Sequence, residues 1–160
     1  MTLDEQLQSL IDGAPQDGTT PRLVVSIAPV LKTVAQRLRH LEYYVVQTLD
    51  QSWVMLTLQD PTQSERTKNV IYAFPSLKDV SAGLIDLSDP SLIALPIPVT
   101  HILFQMLAMH NTDSTVFFET PGNVSIGTEI LRSDMELMVQ EFLQSQVDVE
   151  TNSSIPSDIA

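Results

Sequence analysis

Apolar residues recur along this chain with two different periods, and the switches between them lay out the elements. Ile27, Val30, Leu31, Val34, Leu38 and Leu41 fall on one helical stripe, with Lys32, Gln36 and Arg39 on a different face. That spacing predicts an amphipathic helix covering one side of a sheet. Residues 43–49 and 53–58 are dense in aromatic and β-branched side chains and are separated by Asp50-Gln51-Ser52, which reads as two strands joined by a turn. Residues 69–74 make a third strand, stopped by Pro75. Three successive strands with short links predict an antiparallel meander.

Residues 77–87 are compatible with a helical turn beginning near Ser76, or with a loop carrying Val80, Leu84 and Ile85 into the core. Residues 92–95 read as a short strand, and Pro96-Ile97-Pro98 leads into a helix over 100–110. Apolar residues surround most of that helix, so it is expected to be buried on most sides. Val116, Phe117 and Phe118 then form a strand, Pro121-Gly122 suit the centre of a type II turn, and Val124, Ile126, Thr128 and Ile130 alternate on a return strand. Ser133-Asp134-Met135-Glu136 spells a capping box, opening a helix whose Met135, Met138, Val139, Phe142 and Leu143 face inward.

The expected fold is α+β, an antiparallel sheet of about five strands with helices packed on it in the order α-βββ-α-ββ-α. At 160 residues the chain has room for one domain with a proper core. Residues 22–146 form that domain. Residues 1–21 are a helical segment and linker expected to dock loosely or fray, and the polar, acidic residues 147–160 are expected to be disordered.

Charge and composition narrow the classes of partner. A net charge of −12 opposes general binding to nucleic acid or to anionic membranes, both of which require a basic footprint. No apolar run reaches the ~20 residues needed to span a bilayer, so membrane insertion is not expected. The start of the chain lacks a basic and then apolar leader pattern, which makes the cytoplasm the expected location. Cysteine is absent, which removes disulfides, thiolate metal ligands and cysteine nucleophiles. Arg22, Lys32, Arg37 and Arg39 lie in a stretch without acids, whereas seven acids and only Arg132 lie from Glu129 onward. Both read first as solvated faces.

No set of residues assembles a recognised reaction centre. The five glycines form no phosphate-cradling loop, and no serine sits in a nucleophile-elbow setting. Residues 86–89 lack the remainder of a calcium loop. His101 and His110 fall on opposite faces of one helix, and His40 ends the first helix where a cation complements the dipole. Glu119 and Glu129 lie on adjoining strands but need not stand opposite each other, and read as surface residues. No metal and no cofactor are expected. The helix over 102–109 carries the one signal of another kind, since Leu, Met and Phe around a whole cylinder serve a core alone or a core on one side and a partner on the other.

In the last third, Leu103, Leu107 and Asn111 on a helix precede the strand pair Phe117-Phe118. A Gly122-Asn123 turn then leads to Val124-Ser125-Ile126-Gly127-Thr128-Glu129-Ile130 and a helix with inward Met138 and Phe142. With the element order, this resembles type III secretion chaperones and the related YbjN proteins over residues 27–145. Val70-Ile71-Tyr72-Ala73-Phe74-Pro75-Ser76 is also similar to a strand end of the SseB-like family. The segment 75–98 is longer than the simple fold needs. Both resemblances imply a non-catalytic, protein-binding module that forms a homodimer.

The expected function is therefore a non-enzymatic, acidic, chaperone-like module that binds a partner protein or peptide segment, with Lys32, Gln36, Arg39, His101 and Gln105 as the candidate partner-binding residues. A competing expectation is a small-molecule sensor or enzyme with a pocket between the sheet and helix 100–110, lined by His101, Gln105 and Tyr44. A third is a structural subunit docking through the basic face around Lys32, Gln36 and Arg39.

Overall fold

A computed structural model describes residues 1–59, 66–82 and 84–153, with side chains described through Gln146. Among these residues there are five helices and six strands, and the fold is α+β as expected. The elements run α1 (Leu3–Gly13), α2 (Thr20–Ala35), β1 (Glu42–Thr48), β2 (Leu56–Gln59), β3 (Thr67–Ala73), α3 (Leu77–Val80), β4 (Leu92–Pro98), α4 (Val99–Ala108), β5 (Ser114–Phe118), β6 (Gly127–Leu131) and α5 (Arg132–Ser153).

The strands do not form one five-stranded antiparallel sheet. β1 pairs with β4 in a two-stranded sheet, and β2-β3-β5-β6 form a four-stranded one. A bridge between Tyr44 and Phe74 and another between Gln47 and Trp53 join the two. The expected meander is replaced because β1 takes its full-length partner from residues 92–98, and β3 pairs with β5 in parallel. A parallel neighbour requires a long crossover, which α3, β4 and α4 supply.

β4 tolerates Pro96 and Pro98 because of their register. The Val99 N–H donates to the Leu41 carbonyl (2.9 Å), so by strand alternation Ile97, Leu95 and Ile93 turn their backbone groups toward β1. The two prolines then face the open edge, where a missing N–H breaks no ladder bond. That edge is correspondingly poor in donors for another strand.

Alternation along β1 assigns two faces. Tyr43 and Val45 join Ile71, Ala73 and Phe117 against α1, α2, α4 and α5, with Leu31, Val34, Ile102, Leu103, Met106 and Met135 filling the layer between. Tyr44 and Val46 turn the other way, toward Phe74, Phe118, Val80 and Ile85. Phe74 stacks on Phe118 with ring centres 5.2 Å apart. The segment after Ser76 therefore does both things its sequence allowed. Ser76 caps the short α3, and Val80 and Ile85 are buried, while Leu84 stays exposed.

The N-terminal segment docks firmly, contrary to the loose or frayed expectation. Thr2 and Glu5 close a capping box, and Gln6 and Leu7 are buried. The Gln6 amide donates to the Leu41 carbonyl (2.8 Å), while its Oε1 accepts from the Thr100 N–H (3.1 Å) and hydroxyl (2.9 Å). α4 has no side-chain cap of its own, so a residue of α1 satisfies one of its orphan N–H groups.

α2 starts well before Ile27, with Pro21 in its first turn, and ends at Ala35. Ile27, Val30, Leu31, Val34 and Leu38 are buried as the stripe requires, but Leu41 lies beyond the helix and is 51% exposed. Asp17 supplies the start. Its carboxylate accepts from the backbone N–H and hydroxyl of both Thr19 and Thr20. Those bonds, the Thr20 hydroxyl foremost, hold the Asp17 carboxyl well below the usual carboxylate range. A folded-state pKa depressed in this way stabilises the fold above the unfolded aspartate pKa and is lost as pH falls through the folded value. The stability difference between wild type and Asp17→Ala is thus expected to be constant from pH 7 to 5 and to shrink below about pH 4. Urea titrations of both proteins across that range check it; a difference that grows on acidification contradicts it.

The hairpin turn is as expected, with the Asn123 N–H donating to the Thr120 carbonyl (3.0 Å) and Gly122 at φ +85°. The buried carboxylate of Asp79 accepts from the Gly122 N–H (2.8 Å), tying this turn to α3. The return strand is shorter than expected and begins only at Gly127. Ser133 does not close a capping box, because α5 begins at Arg132 and the Glu136 carboxylate pairs with Arg132 instead. Met135 is buried as expected, whereas Leu143 is 37% exposed. The α5 backbone runs to Ser153, and residues 154–160 of the expected disordered tail lie outside the described residues. No helix among the described residues is long and apolar enough to cross a membrane.

Candidate functional site

The residues singled out from sequence do not converge. Lys32 pairs with Asp4 (2.9 Å) and so ties α2 to α1. Gln36 caps the end of α2, and Arg39 lies beyond it, its N–H donating to Glu119 (3.0 Å). The expected basic helix face is not formed, because α2 ends at Ala35, Lys32 is paired with Asp4 and Arg39 lies beyond the helix. His101 and Gln105 share one face of α4, where the His101 ring N–H donates to the Gln6 carbonyl (3.0 Å) and Gln105 is exposed. Tyr44 sits on the far face of β1, so the three residues of the supposed small-molecule pocket line no common cavity.

The other titratable groups hold structure together. His40 is not at a helix end. Its ring N–H donates to the Glu119 carbonyl (2.6 Å), and the Glu119 carboxylate accepts from the Tyr43 hydroxyl. Burial, with the carboxylate beside it, pushes the Tyr43 phenol above the usual tyrosine range. Burial opposes ionisation of Glu129, but the Lys68 ammonium and the Ser114 hydroxyl outweigh it and hold that carboxyl below its usual value. Among the described residues, no three His, Asp or Glu side chains come together as a metal site.

Two cavities are better defined than any of these clusters, and they adjoin. The first, about 710 Å³, lies at the end of the four-stranded sheet, between Leu58, Arg66 and Lys68 on one side and His110, Asp113, Arg132 and Ser133 on the other. The second, about 510 Å³, is an apolar groove between helices, walled by Leu23 and Ile27 of α2, Phe104, Leu107 and Ala108 of α4, and Val139 of α5. His110, Arg132 and Glu136 line both.

Arg132 fixes this junction. Its Nε donates to the carbonyls of Met106 and Leu107 (3.2 Å each), and Nη2 to Leu107 (2.8 Å) and to Nδ1 of His110 (2.9 Å). Nη1 pairs with Glu136. A planar guanidinium is suited to this, since it satisfies the orphan carbonyls at the end of α4 while holding a second helix against them. An imidazole nitrogen that accepts from an arginine carries no proton, so the other nitrogen of His110, Nε2, is the N–H donor.

The apolar groove accounts for the composition of α4. Ile102, Leu103 and Met106 face the core, and Phe104 and Leu107, only part-buried, face the groove. The all-round apolar pattern was the available signal for it, whereas Leu23 and Arg132, far apart in sequence, gave none. Beside it Leu23 is 48% exposed. No protein-family model matches the chain, and no curated protein matches it.

Proposed function

We propose that this chain is a non-enzymatic, chaperone-like interaction module that binds a segment of a partner protein, and that it works in the cytoplasm. The observation that carries this reading is the open groove between α2, α4 and α5. Its walls are aliphatic and aromatic, and His110, Arg132, Glu136 and Gln140 supply polar groups beside them. Such surfaces fit helix-in-groove recognition, where apolar anchors at helical spacing supply most of the affinity. The pattern likeness to type III secretion chaperones supports the same reading.

A second copy of the chain is the first candidate for the partner. Light scattering coupled to size exclusion tests this with wild type and Leu23→Asp. The expected result is a two-chain mass for wild type and a one-chain mass for the variant, with both equally folded by circular dichroism. A two-chain mass unaffected by the variant places self-association elsewhere. A one-chain mass for wild type at high concentration removes the homodimer.

A further inference from the structure

The two apolar layers of this fold are held in different ways. The larger lies under α1, α2, α4 and α5. The smaller lies on the opposite face of the strands, where Val46, Phe74 and Phe118 pack against Val80 and Ile85. Its rings form one group, with Phe74 stacked on Phe118 and Tyr72 edge-on to both. The cover over this group comes from the segment between Pro75 and Leu92, whose only regular element among the described residues is the four-residue α3. Val80 and Ile85 of that segment are buried, while Leu77 and Leu84 are exposed.

Asp79 fastens the cover. Among the described residues, one hydrogen bond joins 76–91 to a part of the fold distant in sequence, and it runs from the Gly122 N–H to the Asp79 carboxylate (2.8 Å). The other carboxylate oxygen accepts from the Ser76 hydroxyl (2.6 Å). The bonds at Asp86 and Ser88, at Asp89 and Ser91, and in the turn after α3 are local. Asp79 is 4% exposed and pairs with no cation among the described residues. A carboxylate buried without a cation is stable there only while its donors stay in place. Once the Gly122 bond is broken, the favoured position for this side chain is water, which makes the fastening two-state.

We propose that α3 and the residues around Ile85 act as a hinged strap, latched by Asp79, which opens from the smaller layer as a unit and uncovers Phe74 and Phe118. Opening breaks no strand ladder, because β1 pairs with β4, and β5 with β3 and β6, without the strap. A segment with few buried side chains and one long-range hydrogen bond belongs to the low-stability end of a structure. The strap lies on the face of the strands away from the groove between α2, α4 and α5, so it stands or falls apart from the interaction-module reading.

The chain has no cysteine, so a single introduced thiol reports opening cleanly. Val80→Cys and Ile85→Cys place one under the strap, and Val34→Cys places one in the larger layer, where Val34 is also buried. Labelling of each full-length chain by a small disulfide reagent is followed under native conditions, with circular dichroism establishing that all three fold. The two strap thiols are expected to react at similar rates, about a hundredfold or more faster than the thiol at position 34, which waits for global unfolding. Adding Gln6→Ala is expected to speed position 34 and leave both strap thiols unchanged. Adding Asp79→Ala is expected to speed both strap thiols about tenfold, and Asp79→Asn, which keeps the volume and a weaker acceptor for Gly122, by less. Equal rates at all three positions, or equal acceleration of all three by Gln6→Ala, show that the strap opens only with the whole fold and overturn the proposal. It is overturned as well by unequal rates at 80 and 85, which deny a single unit, or by strap thiols indifferent to both Asp79 variants, which deny the latch.

Discussion

Replacing Gln6 with Ala is expected to destabilise the fold by about 3 kcal/mol. The figure follows from what is left behind. Thr100 is fully buried, and both its N–H and its hydroxyl donate to the Gln6 side chain. The N–H is one of the first-turn donors of α4, for which the preceding Pro98 offers no side-chain acceptor. Removing the amide strands these two donors in a dry interior, where each unsatisfied group costs about 1–3 kcal/mol. Gln6→Leu is expected to fare little better, because it keeps the volume but not the partners. Gln8→Ala is the control, since Gln8 is exposed and bonded only to Asp12, and about 0.5 kcal/mol or less is expected there. Urea unfolding of the three variants checks this. A Gln6→Ala protein as stable as Gln8→Ala would show that α1 is not held by this network.

The second large effect is expected at Arg132. Its side chain is only 15% exposed and serves two α4 carbonyls, His110 and Glu136 at once. Arg132→Ala is expected to cost about 3 kcal/mol, because charge-assisted hydrogen bonds are worth more than neutral ones and two carbonyls at the end of α4 lose their side-chain donor. Arg132→Lys recovers only part of this, since one ammonium cannot span two carbonyls and an imidazole. The loss has a functional side, because α4 and α5 form two walls of the groove. Hydrogen exchange is expected to rise at the last turn of α4 and the first of α5, and not in β1 or β4. Uniform exchange changes, or none, contradict the role assigned to Arg132.

What the sequence made legible were the elements whose signals are local. The stripe from Ile27 to Leu38 is buried, and the Pro121-Gly122 turn has the backbone its residues require. The apolar α4 packs against the core and lines the groove. What failed was everything set by distant partners. β1 and β4 are separated by two strands, and nothing in either announces the other. Pro96 and Pro98 made β4 look shorter than it is, because the harmlessness of an edge proline depends on which way its nitrogen faces. α1 looked loose because its anchor is a glutamine, and polar anchors are invisible to a hydrophobic count. The apolar stripe begins at Ile27, so the true start of α2 at Thr20 went unread. The same limit applies to the site. Arg132 and His110 stand 22 positions apart, and Leu23 lies on another helix, so only the packed structure brings them to one groove.

The central claim is that the surface between α2, α4 and α5 receives another protein chain. Photo-cross-linking in cells tests it most directly, with a photoreactive amino acid at position 23 on the groove wall, or at position 126 as a control on the loop before β6, where Ile126 is 68% exposed. The account predicts a discrete cross-linked product from position 23 and none from position 126. No product from 23, or the same product from both positions, would contradict it.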